Sequence, residues 1–249
     1  MRNCIFTAVI LIIVLFSSYP PAAQEKKIIA VFPTWEPYGY VEDGKAAGFE
    51  IETFRTVMDI MGLRVEFVHQ PWKRCLHSVK NGLADVVISA LKVKERMEYL
   101  YYPDEPISMS RTALFTRKDR KIDFNGSLDA LKGYTIGVTN GFSYGPAFDG
   151  SRFLEKDAST ETGAVVTKVL LGRNELGAGN IAVIKTIAAK HNASGKIRFL
   201  YPLLHSQKLY AGFSKARNHA ELTMAFSTAL VGFRKSPDYR RIMTKYRMD

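Results

Sequence analysis

The stretch IETFRTVMDIMGLRVEFVHQPWKRCLHSVKNGLADVVIS, residues 51–89, switches repeatedly between two hydrophobic periods, and those switches carry the fold class. From Ile51 the apolar positions Phe54, Val57, Met58 and Met61 recur at steps of three and four, one face of a helix, until Gly62 stops the run. Residues 65–68 read as a strand. Trp72, Cys75, Leu76, Val79 and Leu83 then share a second helical face, and residues 85–89 form an apolar run short enough for a buried strand. A further strand, residues 27–32, precedes the stretch, joined to it by a turn-rich segment, residues 33–48, that holds Trp35, Tyr38 and Tyr40. The order strand, helix, strand, helix, strand implies a parallel sheet with crossover helices.

Further along, a long connection over residues 92–106 leads to an extended segment, 107–116, and a polar stretch ending at Asn125. A second series follows: a short helix at 127–131, a strand at 134–139, a glycine-containing turn at 140–145, a helix near 162–171, and strands at 181–184 and 197–200. Residues 208–214 are extended again. Leu222, Ala225, Phe226, Ala229, Leu230 and Phe233 mark one face of a long helix, and Pro237 opens a last one. Two α/β series separated by extended crossings predict two similar lobes around a cleft.

The 249 residues are 47% hydrophobic and 24% charged, an ordinary globular composition, with a formal charge of +11. Residues 1–23 read as a cleaved secretory signal: Arg2 supplies the positive end, residues 5–16 the apolar run, and Ala22 and Ala23 small residues beside the cut. The apolar run is shorter than the roughly 18–20 residues of a spanning helix. With Arg2 removed the count is 34 basic against 24 acidic residues, a charge of +10 that can meet an anionic ligand or anionic headgroups, or simply be solvated. Export and the lack of a recognisable motif exclude nucleic acid as a partner. Cys4 leaves with the signal, so Cys75 has no internal disulfide partner and its place on an apolar helical face makes it a small buried hydrophobe.

The five histidines form no HExxH pair, and the chain has no G-x-S-x-G elbow, Walker loop or GxGxxG. Neither a metal nor a cofactor is expected. Glu50 with Glu52, and Asp104 with Glu105, are read as solvated or structural carboxylates. The residues alone thus point to an exported two-lobed binder rather than an enzyme.

Five segments, in order, resemble the bacterial extracellular solute-binding proteins of family 3, the periplasmic receptors of polar amino-acid ABC transporters. They are VFPTWEPYGYVEDGKAAGFEIE (31–52), PWKRCLHSVKNGLADVVIS (71–89), VKERMEYLYYPDEPI (93–107), SLDALKGYTIGVTNG (127–141) and LLGRNELGAGNIAV (170–183). The resemblance implies a type II periplasmic binding protein-like α/β fold. Residues 24–112 with 208–249 would form lobe 1 and residues 113–207 lobe 2, with ligand gripped between them by closure about two crossing strands near 108–116 and 208–213. It also implies that Arg96 grips a ligand carboxylate bidentately, a task that suits a planar guanidinium; the competing role is pairing with Glu95 or Asp104. Trp35 and Tyr38 would pack on the ligand, with Phe142 a further aromatic. Ser89, Ser143 and Asn180 would complete its hydrogen bonds.

Three departures from the family pattern bear on the ligand. The spacing from Asp85 to Arg96 is one residue short. Lys92 stands where the family often has a hydroxyl; pointing inward it adds a cation, pointing outward it is solvated. Asn180 stands where the family places an aspartate on the ligand ammonium, and Glu175 is either a substitute acid or a structural residue at a helix end. The implied function is a monomeric periplasmic receptor that delivers a small, polar, carboxylated solute to an inner-membrane ABC permease. The alternatives are a cyclohexadienyl dehydratase-like enzyme and a ligand-binding partner of a membrane sensor.

Overall fold

The computed structural model describes residues 27–248; the segment expected to be a cleaved secretory signal lies outside them. Strand β1 (Ile28–Phe32) runs into an aromatic loop, a small hairpin of β2 (Tyr40–Glu42) and β3 (Lys45–Ala47), and helix α1 (Phe49–Ile60). Strand β4 (Val65–His69), helix α2 (Trp72–Lys80) and strand β5 (Val86–Leu91) complete the first series. Both β4 and β5 pair with β1 in parallel, as the alternation of strands and helices requires. Helix α1 begins where it does because Gly48 adopts φ 122°, and a Cβ there would lie 2.5 Å from the Tyr38 carbonyl oxygen. Its inward residues Ile51, Phe54, Val57 and Met58 are fully buried and pack among Phe213, Phe226 and Leu230.

The next connection carries a one-turn helix α3 (Lys94–Met97) and a two-residue strand β6 (Leu100–Tyr101) before β7 (Ser108–Arg117) crosses to the second half. There β8 (Thr135–Thr139), α4 (Pro146–Gly150), β9 (Glu155–Ser159), α5 (Thr162–Leu170), β10 (Leu176–Asn180) and α6 (Ile181–Lys190) follow. The chain returns along β11 (Ile197–Ser214) and ends in α7 (Ala220–Arg234) and α8 (Pro237–Lys245), which pack on α1. The main sheet has the order β4-β1-β5-β11-β7-β10-β8-β9, with β6 on β11. Thus β7 and β11, paired antiparallel from Ile197↔Arg117 to Leu209↔Ser108, stand between the two parallel groups, where the extended crossings are expected. The fold is two-lobed.

Several elements differ from the sequence reading. The strand expected at 181–184 is the first turn of α6, and the strand is the preceding Leu176–Asn180. Asn180 causes the change of structure: its Oδ1 accepts from Val183 N and caps the helix. β10 is rich in glycine because Phe115 of the neighbouring strand fills the space; a Cβ on Gly177 would lie 2.3 Å from that ring. Helix α2 stops at Lys80, so Leu83 lies past it and is 61% exposed. The β2–β3 hairpin, turned at Asp43 (φ 49°) and Gly44 (φ 73°), and β9 are elements that the periodicity does not single out.

Candidate functional site

Parallel strands deliver their following loops to one end of a sheet, and both halves use this. In the first half, β1 and β5 end beside each other, placing residues 33–38 and 89–96 together. In the second half, β8 and β9 lead into residues 139–142 and into the approach to α5 at 159–163, with Asn140 N donating to Ser159 O. The two ends face one another. Lys190 of α6 bridges to Glu36 at 2.5 Å, and Asn180 Nδ2 donates to the Tyr38 hydroxyl at 3.0 Å and to Ser110 Oγ at 2.9 Å. A cavity of about 440 Å³ opens between Thr34, Trp35 and Glu36 on one side and Thr139, Phe142, Glu161, Thr162 and Lys190 on the other. Its walls offer threonine hydroxyls, two carboxylates, a lysine and two exposed or half-exposed aromatic rings. These are groups that bind a small polar solute and orient it.

The seven residues expected at a site are distributed unevenly around this cavity. Trp35 lines it and stacks on Tyr38 with ring centroids 4.3 Å apart. Tyr38 itself is buried beneath, its hydroxyl tied to Asn180 and to the Met109 carbonyl, and burial raises its pKa above the ordinary value. Asn180 is wholly engaged: cap of α6, partner of Tyr38 and partner of Ser110. Ser143 hydrogen-bonds Asp149 Oδ2 at 2.6 Å within the turn that starts α4.

Arg96 belongs to neither of its expected ion pairs. Its guanidinium lies 5.0 Å over the Trp72 ring and donates to the Leu91 carbonyl at 3.4 Å, half-exposed at the end of the sheet that faces the second half. Trp72 is therefore a half-buried platform as well as an edge of the core. Lys92 is exposed, about 6 Å from the rings of Tyr102 (5.9 Å) and Tyr210 (6.0 Å). Neither cation lines the cavity that Trp35 lines. Glu175 is structural: its carboxylate accepts from Thr135 N and its carbonyl from Thr116 Oγ1.

Ser89 turns away from solvent. With φ 68°, rare for a residue with a side chain, it donates to the carboxylate of Glu50, which also accepts from Ser108 Oγ at the start of β7. Glu50 is fully buried, and loss of hydration pushes its pKa up to about 7 against the two serine hydrogen bonds. This carboxyl joins the cleft loop to a crossing strand, a role that sequence reading does not assign. Glu36, Glu161 and Lys190 are also cavity residues that it missed. Glu161 and Thr162 follow β9, and without that strand nothing in the sequence places them at the cleft.

Among the described residues no group of three or more His, Cys, Asp and Glu side chains is arranged to hold a metal ion, and no helix is long and apolar enough to cross a membrane. Cys75 is buried, donates toward the Gln70 carbonyl, and has its thiol pKa pushed up to about 12 by burial.

The chain is 24% identical over 230 residues to the arginine-binding periplasmic protein of Mannheimia haemolytica, covering 90% of this chain and 92% of the relative. It is 24% identical over 235 residues to a probable histidine-binding protein of Neisseria gonorrhoeae, covering 91% and 85%. Its fold superimposes on the crystal structure of the L-cystine solute receptor of Neisseria gonorrhoeae in the unliganded open conformation, with a TM-score of 0.74, 20% identity, and 90% and 93% of the two chains covered. With two α/β halves facing across a cavity and a family model matching residues 28–249, the chain belongs to the bacterial extracellular solute-binding proteins, family 3.

Proposed function

We infer that this chain is the periplasmic capture component of an ABC importer for an amino acid or a closely related small, polar, carboxylated solute. It works as a monomer and is not an enzyme. The observation that carries this reading is the cavity bounded by Trp35 and Glu36 from one half and by Glu161 and Thr162 from the other. A solute there touches both halves, so binding favours their closed arrangement. The division runs as residues 24–112 with 208–249 in one lobe, of which 24–26 and 249 lie outside the described residues, and 113–207 in the other.

Arg96 and Lys92, which follow β5 and do not line the cavity, are drawn to the solute carboxylate as the lobes close; Trp35, backed by Tyr38, packs on the solute; Ser89 holds the cleft loop, Asn180 positions Tyr38, and Ser143 holds the turn on the other side. Asn180 brings no charge, so a ligand ammonium is better met by Glu36 or Glu161, both on the cavity wall. Relatives named for arginine and histidine binding support a nitrogen-rich solute.

A thermal-shift screen of the protein, refolded to strip carried-over solute, tests this against L-arginine, L-histidine, L-cystine, dicarboxylates and prephenate. Stabilisation by amino acids and not by prephenate is expected. Phenylpyruvate formation from prephenate, or stabilisation by dicarboxylates alone, overturns it.

A further inference from the structure

The end of the second lobe opposite the cleft carries a concentration of exposed positive charge that exceeds its carboxylates, of which Asp119 pairs with Arg117 and Asp129 with Lys132. The strand termini there are the end of β7 and the starts of β8, β9, β10 and β11, brought together by the pairings Ile197↔Arg117, Leu176↔Ile136 and Thr135↔Glu155. Lys118, Arg120, Lys121, Arg152, Arg173 and Lys196 stand on the loops at these termini. All six are exposed, and among the described residues none of them is in an ion pair. The loops are contiguous. Lys118 N donates to the Lys196 carbonyl, and the Cβ position of Gly172 is 3.3 Å from the Arg117 guanidinium and 3.8 Å from that of Arg120.

Two large apolar side chains sit among these cations, Leu171 at 60% exposure and Phe153 at 50%. The Lys132 ammonium lies 4.9 Å over the Phe153 ring. Between the loops lies a hollow of about 640 Å³, lined by Arg117 and its ion-pair partner Asp119, and by Lys118, Leu171, His191 and Lys196. Exposed cations surrounding a few protruding apolar groups match a surface that is anionic outside and apolar just beneath, which is the chemistry of an acidic phospholipid bilayer.

From this placement we propose that the basic end of the second lobe is a docking surface for anionic membrane headgroups, with Leu171 and Phe153 entering the headgroup layer. The site is separate from the solute cavity. Thr139 at the far end of β8 lines that cavity, and a five-residue strand spans roughly 16 Å. A molecule seated by this end keeps its solute cavity clear of the bilayer.

Vesicle flotation decides the matter. The protein, as processed by its host, is mixed with vesicles of phosphatidylethanolamine containing 30% phosphatidylglycerol, and with vesicles of phosphatidylcholine alone, the lipid fraction being about 30% anionic to give a strong surface potential. Binding to the first and not the second, weakening steeply with salt, is expected. The triple variant Lys118→Glu/Lys121→Glu/Lys196→Glu should lose about 100-fold or more in partitioning. Lys45→Glu/Lys235→Glu/Arg240→Glu, with the same change of net charge at the other lobe, should lose less than a tenth of that effect, and Leu171→Ser should remove the binding that survives high salt. Circular dichroism confirms that each variant is folded. Equal losses from both triple variants, no flotation with anionic vesicles, or full displacement by millimolar glycerol phosphate would each overturn the proposal, the last by pointing to a free phosphate ester.

Discussion

Arg96 places its guanidinium 5.0 Å over the Trp72 ring and uses one N–H on the Leu91 carbonyl, which leaves most of its planar fork uncommitted. A guanidinium fixed on an aromatic face is oriented before a carboxylate arrives, so less side-chain entropy is lost on binding. Arg96→Ala should weaken binding of the solute found by screening by about 2–5 kcal/mol, and Arg96→Lys should recover only part of it. Isothermal calorimetry measures both, and an unchanged affinity would move the anion site elsewhere. Glu50 supplies a second prediction at this scale. Its carboxyl keeps its proton in the fold up to about pH 7, against 4.5 in a solvated chain, because burial penalises the ionised form. Between these values the native state holds one more proton than the unfolded state, so the contribution of Glu50 to stability falls as pH rises. Wild type should lose about 3 kcal/mol relative to Glu50→Gln across that window. Parallel urea-stability profiles for the two proteins would refute the assignment. Glu50 and Glu52 lie about 200° apart on a helix, and local sequence does not say which turns inward; that is set by Ser89 and Ser108, far along the chain. The aromatic loop was legible because its residue types stand out, whereas this carboxyl was not.

Helix α6 and strand β10 meet at Asn180, and both depend on it. Removing the amide strips the cap from Val183 N and leaves Tyr38 and Ser110 without their partner. Asn180→Ala should therefore cost about 1–2 kcal/mol in urea unfolding, with Asn180→Asp retaining the cap but losing the two donated bonds. Gly177→Ala should cost more, at least about 1–3 kcal/mol, because its Cβ meets the fully buried ring of Phe115 at 2.3 Å. The same junction explains where sequence reading fell short. LGAGN has few residues of high strand propensity, and IAVI has many, so local pattern puts the strand one element late. Tertiary space reverses that preference: the glycines are required by Phe115, and Ile181 and Ile184 face inward from the first turns of a helix. β9, with the sequence EKDAS, hides for another reason. It is an edge strand on a half-solvated sheet face and carries no apolar stripe. By contrast, the parallel first half and both crossing strands were legible, since they bury long apolar runs.

At the scale of the whole molecule, two polar contacts of unequal character join the halves beside the cavity. Tyr38 with Asn180 is mostly buried and close to the crossing strands, while Glu36 with Lys190 sits at the rim, where the lysine side chain is 61% exposed. A rim pair of this exposure contributes no more than about 1 kcal/mol and is screened by salt. Lys190→Ala should accordingly weaken solute binding by about fivefold or less and leave the unfolding free energy of the solute-free protein unchanged. Tyr38→Phe should weaken it more, because closure then buries Asn180 with an unmet donor. Solute at 100 times its dissociation constant adds about 2.7 kcal/mol to stability, and in a chain of this size each kcal/mol moves the melting temperature by roughly 2–4 °C. Wild type and Lys190→Ala should therefore show equal shifts of about 5–10 °C when each is saturated to the same degree, but at different solute concentrations. If the melting temperature of the solute-free variant itself falls by several degrees, the rim pair is a fixed structural contact and not a contact of closure.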